Sequence, residues 1–184
     1  MRKNKTKKFQ TLRKGFIFLL LFILFFVFIY IILGYSFLYD YINYFFGITS
    51  SFIINHIFGI VTTFSYNIID GASVITIASL DYPIYINFLC TGILEFALLA
   101  SAILASTSVS WKKRLIGVLL AIPLVILFNI IRISFTTYLI TALNLSWASF
   151  FHGFLFRFFL VIIVLGFYWL WLKRCTRDYK KKKK

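Results

Sequence analysis

The sequence predicts an all-α integral membrane protein with about four transmembrane helices, an interfacial helix and a short external hairpin. Three observations point there. Its 184 residues are 61% hydrophobic with a mean hydropathy of +0.93, far too apolar for a soluble domain with a polar exterior. Long apolar runs recur along the chain. Of the 20 Lys and Arg residues, seven lie in residues 1–14, three at Lys112, Lys113 and Arg114, and eight from Lys173 onward. Basic clusters that abut apolar runs are positive-inside anchors, and they also attract anionic lipid headgroups. The net charge of +15 therefore does not signal nucleic-acid binding, since no aromatic–basic platform interrupts the runs. This divides the chain into a basic cytoplasmic N-terminus (1–14), one membrane domain (15–172) and a basic cytoplasmic tail (173–184).

The first run, Gly15 to Tyr39, is uncharged and long enough to span with some tilt. It reads as a retained signal anchor, because its apolar core is too long for a cleaved signal and no small-residue cleavage site follows. Residues 40–90 hold no Lys or Arg, only Asp40, Asp70, Asp81 and His56, which places them outside. Within them, Phe45 to Tyr66 is moderately apolar but diluted by Asn55, His56 and several Ser and Thr residues. Counting it as a span would also put the basic loop at 112–114 outside, so it is expected as an interfacial or re-entrant helix. From Ala72 to Phe88, β-branched stretches flank Asp81-Tyr82-Pro83, the pattern of an external hairpin. The second span, Thr91 to Val109, carries the small-residue stripe Ala97, Ser101 and Ala105, which lets a neighbouring helix approach closely. After the turn Trp111-Lys112-Lys113-Arg114, the third span runs from Leu115 to Leu143, with Pro123 able to kink it. The fourth, His152 to Leu172, ends at Trp169 and Trp171 beside the basic tail, an aromatic belt next to snorkelling cations. Four spans with both termini cytoplasmic satisfy every basic cluster.

Three polar residues converge in this topology. Leu115 to Arg132 covers about 26 Å of helix at 1.5 Å per residue, so Arg132 nears the outer boundary of a hydrocarbon layer about 30 Å thick. Cys90 and His152 begin inward-running helices at the same boundary. Taken singly, a cysteine at a helix start is ordinarily inert, an arginine near a helix end ordinarily snorkels, and a histidine can simply sit at the interface. Their coincidence on one membrane face marks a site. A thiol, a guanidinium and an imidazole are the parts of a cysteine acyl-transfer centre, and helix N-termini favour a thiolate and an oxyanion. Asn129, three residues before Arg132, lies on nearly the same helical face and is placed to bond the guanidinium or a substrate. Arg157 lies about 7 Å deeper than His152. It is expected to pair with Glu95, the one acid inside a span, as a structural contact between helices. Cys175 falls at the opposite end of the last span, so no disulfide is expected. Asn144-Leu145-Ser146 is an external glycosylation sequon. No metal-ligand cluster, phosphate-cradling loop or dinucleotide fingerprint is present in the sequence, and no cofactor is implied.

Cys90-Thr91-Gly92 opening a span, Asn129-Ile130-Ile131-Arg132 in the next, and His152 opening the last resemble the exosortase/archaeosortase family over roughly residues 70–172. The tripeptide alone is weakly specific; the ordered set on successive spans is more so. The resemblance implies a multi-pass membrane cysteine transpeptidase or protease. Its substrates would be exported proteins that carry a C-terminal motif, an apolar helix and a basic tail, with an amine or water as acceptor. It also implies that Cys90 is the nucleophile, Arg132 the cation that orients substrate or stabilises the oxyanion, and His152 the acid–base partner. Some archaeal members look to use an arginine in place of the histidine, which keeps Arg157 as an alternative. A non-catalytic membrane scaffold or assembly factor is the rival reading. A small transporter would need its polar residues nearer the midplane.

Overall fold

The computed structural model describes residues 2–35, 38–67, 71–87, 90–143 and 145–181; Asp70, Phe88 and Asn144 of the sequence reading lie outside these. In chain order the elements are α1 (Arg2–Tyr35), α2 (Leu38–Ile57), β1 (Thr62–Asn67), β2 (Ala72–Ile77), β3 (Ile84–Ile86), α3 (Ile93–Ala105), α4 (Trp111–Ala142), α5 (Leu145–Phe150), a π-helical turn (Phe151–Leu155) and α6 (Phe156–Lys181).

Three helical stretches among the described residues are long and apolar enough to cross a membrane: Leu12–Gly34, Trp111–Ala142 and Phe151–Thr176. They correspond to the first, third and fourth expected spans. Their apolar side chains face outward, as with Phe16, Leu19, Leu119 and Leu165, the arrangement stabilised by lipid rather than water. On α1, Phe18, Phe22, Phe26 and Tyr30 stack at successive i, i+4 positions with ring centroids about 6 Å apart. Helix α4 continues through Pro123 to Ala142.

The second expected span, Thr91 to Val109, forms a helix over 13 residues only. That is about 20 Å, short of a hydrocarbon layer of about 30 Å. Its end is set locally. The Ser106 hydroxyl lies 2.8 Å from the Tyr168 hydroxyl, and the Arg114 guanidinium donates to the carbonyls of Leu104 and Val109. An arginine on the last carbonyls of a helix satisfies orphan acceptors and opposes the helix dipole. Helix α3 packs along α1, α4 and α6. Its small residues Ala97, Ala100, Ser101 and Ala105 are buried, as the small-residue stripe requires.

The expected interfacial helix ends earlier than the sequence suggested. Helix α2 stops at Ile57, and residues 62–67 form β1 instead of continuing it. The polar residues that dilute this stretch tie helix to strand. Asn55 Oδ1 accepts from the Thr62 amide at 2.6 Å, and the Ser51 and Thr62 hydroxyls lie 2.7 Å apart. Asn43 Nδ2 donates to Gly71 O, and Ser73 Oγ donates to Asn43 O. Gly47 allows the close approach, since any side chain there would collide with Ser73 and Phe64. The expected hairpin is present as β2–β3, turned through Asp81-Tyr82-Pro83, and β1 joins it. The sheet is antiparallel in the order β1-β2-β3, with Thr62 opposite Ile77 and Val74 opposite Tyr85.

Two apolar clusters result. One joins α2, the sheet and α4 through Phe46, Ile54, Ile75, Ile86, Ile130 and Ile133. The other joins α3, α4 and α6 through Leu99, Ile103, Ala121, Val125 and Trp171. The bundle thus has a sheet end, where α4 finishes, and a basic end, where Trp171 Nε1 donates to Lys113 O.

Candidate active site

Between the last turns of α4 and the start of α3, at the sheet end, lies a cavity of about 180 Å³. Cys90, Thr136, Thr137 and His152 line it together with Ile84, Tyr85 and Ile86 of β3. Two larger cavities, of about 340 and 410 Å³, run between helices and are walled almost wholly by apolar residues. Neither contains the thiol or the imidazole.

Cys90 sits in a short turn between β3 and α3. Its amide donates to Asn87 O at 2.9 Å, and its thiol donates to Asn87 Oδ1 at 3.6 Å. Two residues on, Gly92 starts α3 with φ of 76°, a left-handed conformation that side chains disfavour by about 1–2 kcal/mol. A β-carbon at Gly92 would also drive into the Asn129 side-chain amide. The Thr91-Gly92 pair therefore has a physical role: it turns the chain sharply and seats the start of α3 against α4. Asn129 is spent on that contact. It is fully buried, and its Nδ2 donates to Val125 O at 2.9 Å within its own helix. Of the two partners expected for Asn129, Arg132 is not bonded to it, because the amide packs under Gly92.

Arg132 is 1% exposed. Its Nη2 lies 3.5 Å from His152 Nε2, and its Nη1 lies 3.9 Å from Glu95 Oε1. Glu95 thus pairs with Arg132, not with Arg157 as the spacing suggested. The reason is the π-helical turn at Phe151–Leu155. A π turn holds more residues than an α turn, so every later position on the helix is rotated, and Arg157 comes out exposed. It stays within electrostatic reach of Arg132 and His152. Arg132 Nε and Nη1, Asn129 Oδ1 and Ser134 Oγ are buried without a hydrogen-bond partner among the described residues. Unsatisfied buried groups cost about 1–3 kcal/mol each, and Arg132 carries two of them.

The hydrogen-bond roles of His152 follow from its neighbours. A guanidinium only donates, so Nε2 accepts from Arg132. The ring proton then sits on Nδ1 and is directed to Thr136 Oγ1, 3.3 Å away. Neither Asn87 nor Thr136 was singled out from the sequence. Both were within reach of a spacing argument, as Asn87 precedes Cys90 by three residues and Thr136 follows Arg132 by four, on the same helical face. Cys90 and His152 share the cavity, while the thiol itself is bonded to Asn87. Cys175 packs against the second apolar cluster, at the basic end.

The structure therefore brings Cys90, Arg132, His152 and Glu95 together and leaves Asn129 behind them and Arg157 beside them. A thiol and an imidazole on one small cavity, with a buried guanidinium behind the imidazole, are suited to attack on a carbonyl and stabilisation of the resulting oxyanion. The family model of the transmembrane exosortases matches residues 12–170. The chain belongs to that family. No significant match was found among curated proteins or among solved structures. As a transmembrane exosortase it is a membrane protein associated with the sorting of exported proteins.

Proposed function

We propose that this exosortase is a cysteine peptidase or transpeptidase that cleaves C-terminal sorting signals of exported proteins at the outer face of the membrane, through a thioester on Cys90. The observation that carries the reading is the shared cavity of Cys90 and His152, with Arg132 buried directly behind the imidazole. The basic end of the bundle, by its charge, lies in the cytoplasm and among anionic headgroups, so the sheet end and its cavity face outward. The substrate carries a recognition motif, an apolar helix that docks laterally in the bilayer, and a basic tail that meets the inner headgroups.

The chemistry follows in four steps. As substrate enters, Arg132 turns its donors to the scissile carbonyl oxygen, which releases His152 Nε2 to take the Cys90 thiol proton. The thiolate attacks the scissile carbonyl carbon, and Arg132 stabilises the oxyanion. The oxyanion collapses, the C–N bond breaks, the departing amine takes that proton from His152 Nε2, and the acyl group remains on sulfur. An incoming amine, or water, gives a proton to His152 as it attacks the thioester; the C–S bond breaks and the leaving thiolate takes the proton back as the thiol. An amine yields transpeptidation and water yields proteolysis. No step draws on a cofactor. Glu95 and Thr136 hold Arg132 and His152 in place.

The test is the replacement Cys90→Ser, which exchanges one sulfur for one oxygen. The C-termini of exported proteins are compared by mass spectrometry in cells carrying the wild-type chain or the variant. A set of exported proteins should retain C-terminal segments in the variant, while the chain accumulates to within about twofold of wild type. Normal maturation of every exported protein in Cys90→Ser cells would sink the proposal.

A further inference from the structure

The β3 strand has a use that the packing of the fold does not explain. In the order β1-β2-β3, β2 is paired on both sides and β3 on one only, so among the described residues the second edge of β3 has no strand partner. Unpaired strand edges present a row of N–H and C=O groups that readily template another chain, and proteins usually cover or blunt them. Ile84, Tyr85 and Ile86 all line the cavity that holds Cys90. Successive side chains of a strand point to opposite faces, and here Ile86 is buried in the sheet–α4 cluster while Tyr85 is 56% exposed. A cavity that reaches three consecutive residues therefore runs along the strand's edge, not under one face. Thr136, Thr137 and Ile133 of α4 and His152 line the same cavity.

Resting on the reading of Cys90 as the nucleophile, we propose that the scissile segment of the exported substrate binds here as an added fourth strand, its backbone hydrogen-bonded to the free edge of β3. Backbone chemistry decides between an extended and a helical segment. A helix spends its N–H and C=O groups on its own turns, whereas an extended segment keeps them free to pair with a strand edge. Main-chain pairing supplies affinity in such a mode, and alternate side chains supply specificity. The apolar helix of the substrate must therefore begin only beyond the scissile bond, so that the bond enters the site unwound. The edge is three residues long, so about two substrate amides, separated by one that points away, engage it.

The test leaves the protein intact and changes the substrate backbone. The probe is a synthetic peptide copied from the cleaved segment of an exported protein whose maturation in cells depends on Cys90. Single amides flanking the scissile bond, but not that bond, are replaced one at a time by esters, which delete an N–H with little change of shape. The full chain in lipid nanodiscs then cleaves each peptide. Strand addition predicts losses of about three- to tenfold in kcat/KM at alternate positions and little change between them. Cleavage that persists without this two-residue alternation overturns strand addition and leaves the Cys90 reading standing. Absence of any Cys90-dependent maturation removes both together.

Discussion

Helix α4 carries one arginine in its first turn and another ten residues before its end, and their surroundings differ. Arg114, at the basic end, donates to two main-chain carbonyls at 2.8 and 2.9 Å and lies 5.6 Å from the ring centre of Trp111. Arg132, at the sheet end, is almost wholly buried, is 3.5 Å from an imidazole and 3.9 Å from a carboxylate, and keeps Nε and Nη1 without hydrogen-bond partners among the described residues. The first is a cation used to finish a structure: two of its donors cap α3, and the half-buried side chain leaves the others to water. The second costs stability where it stands, because a buried guanidinium with idle donors has given up hydration without full replacement. Charge alone does not separate the two. What separates them is whether idle donors are held away from water, where they can meet a charge that appears during a reaction.

The largest effect should come from equalising the two. Arg132→Lys keeps the charge and loses the planar fork of donors, so Cys90-dependent maturation should fall by roughly 10²–10³-fold. Measured per molecule of chain in the membrane, near-normal maturation in this variant would erase the functional distinction between the ends. Next comes the seat on which the sheet end rests. Gly92→Ala should lower stability by about 2–4 kcal/mol, combining left-handed backbone strain with the collision against Asn129. Adding Asn129→Ala should recover the collision share and not the backbone share. A Gly92→Ala chain that unfolds in detergent at the wild-type temperature would show that α3 and α4 are not locked there.

At the other end, Arg114→Gln should cost about 1–3 kcal/mol through its two lost carbonyl contacts. That corresponds to a lower Tm by a few degrees for a chain of this size. Maturation per folded molecule should hold, because Arg114 is remote from the cavity; a selective loss of activity without a Tm shift would contradict its structural role. The smallest effect belongs to Arg157. With Glu95 turned to Arg132, Arg157→Leu should change abundance by less than about 0.5 kcal/mol in equivalent stability. A marked fall in steady-state level, reversed by a second change Glu95→Leu, would restore the Glu95–Arg157 pairing that the spacing suggested.

The legible part of this molecule is whatever depends on short stretches of chain. The runs around Leu12–Gly34, Trp111–Ala142 and Phe151–Thr176 are long and apolar enough to read directly, and β-branched residues around Pro83 mark the hairpin. The convergence of Cys90, Arg132 and His152 on one end was also accessible, since rise per residue converts sequence distance into depth. Strand β1 was not. Thr62 to Asn67 pairs with Ala72 to Ile77, and Asn55, Ser51 and Thr62, which hold it to α2, look in the sequence like polar dilution of an apolar helix. Hydrogen bonds between elements leave no period behind them.

Depth along each helix, and with it the choice of which polar residues share an end of the bundle, was determined by the sequence alone, because burial of apolar surface in lipid acts on composition and length. Rotation about each helix axis was decided only by the tertiary structure. Glu95 faces Arg132 and not Arg157, Asn129 faces Gly92 and not Arg132, and β3 shares a cavity with the thiol. Each of these turns on one close contact: a π turn that shifts register, a glycine that admits an amide, a third strand that fixes which edge stays open. A rotation of 100° per residue makes such outcomes sensitive to a single inserted position, whereas depth changes by only about 1.5 Å.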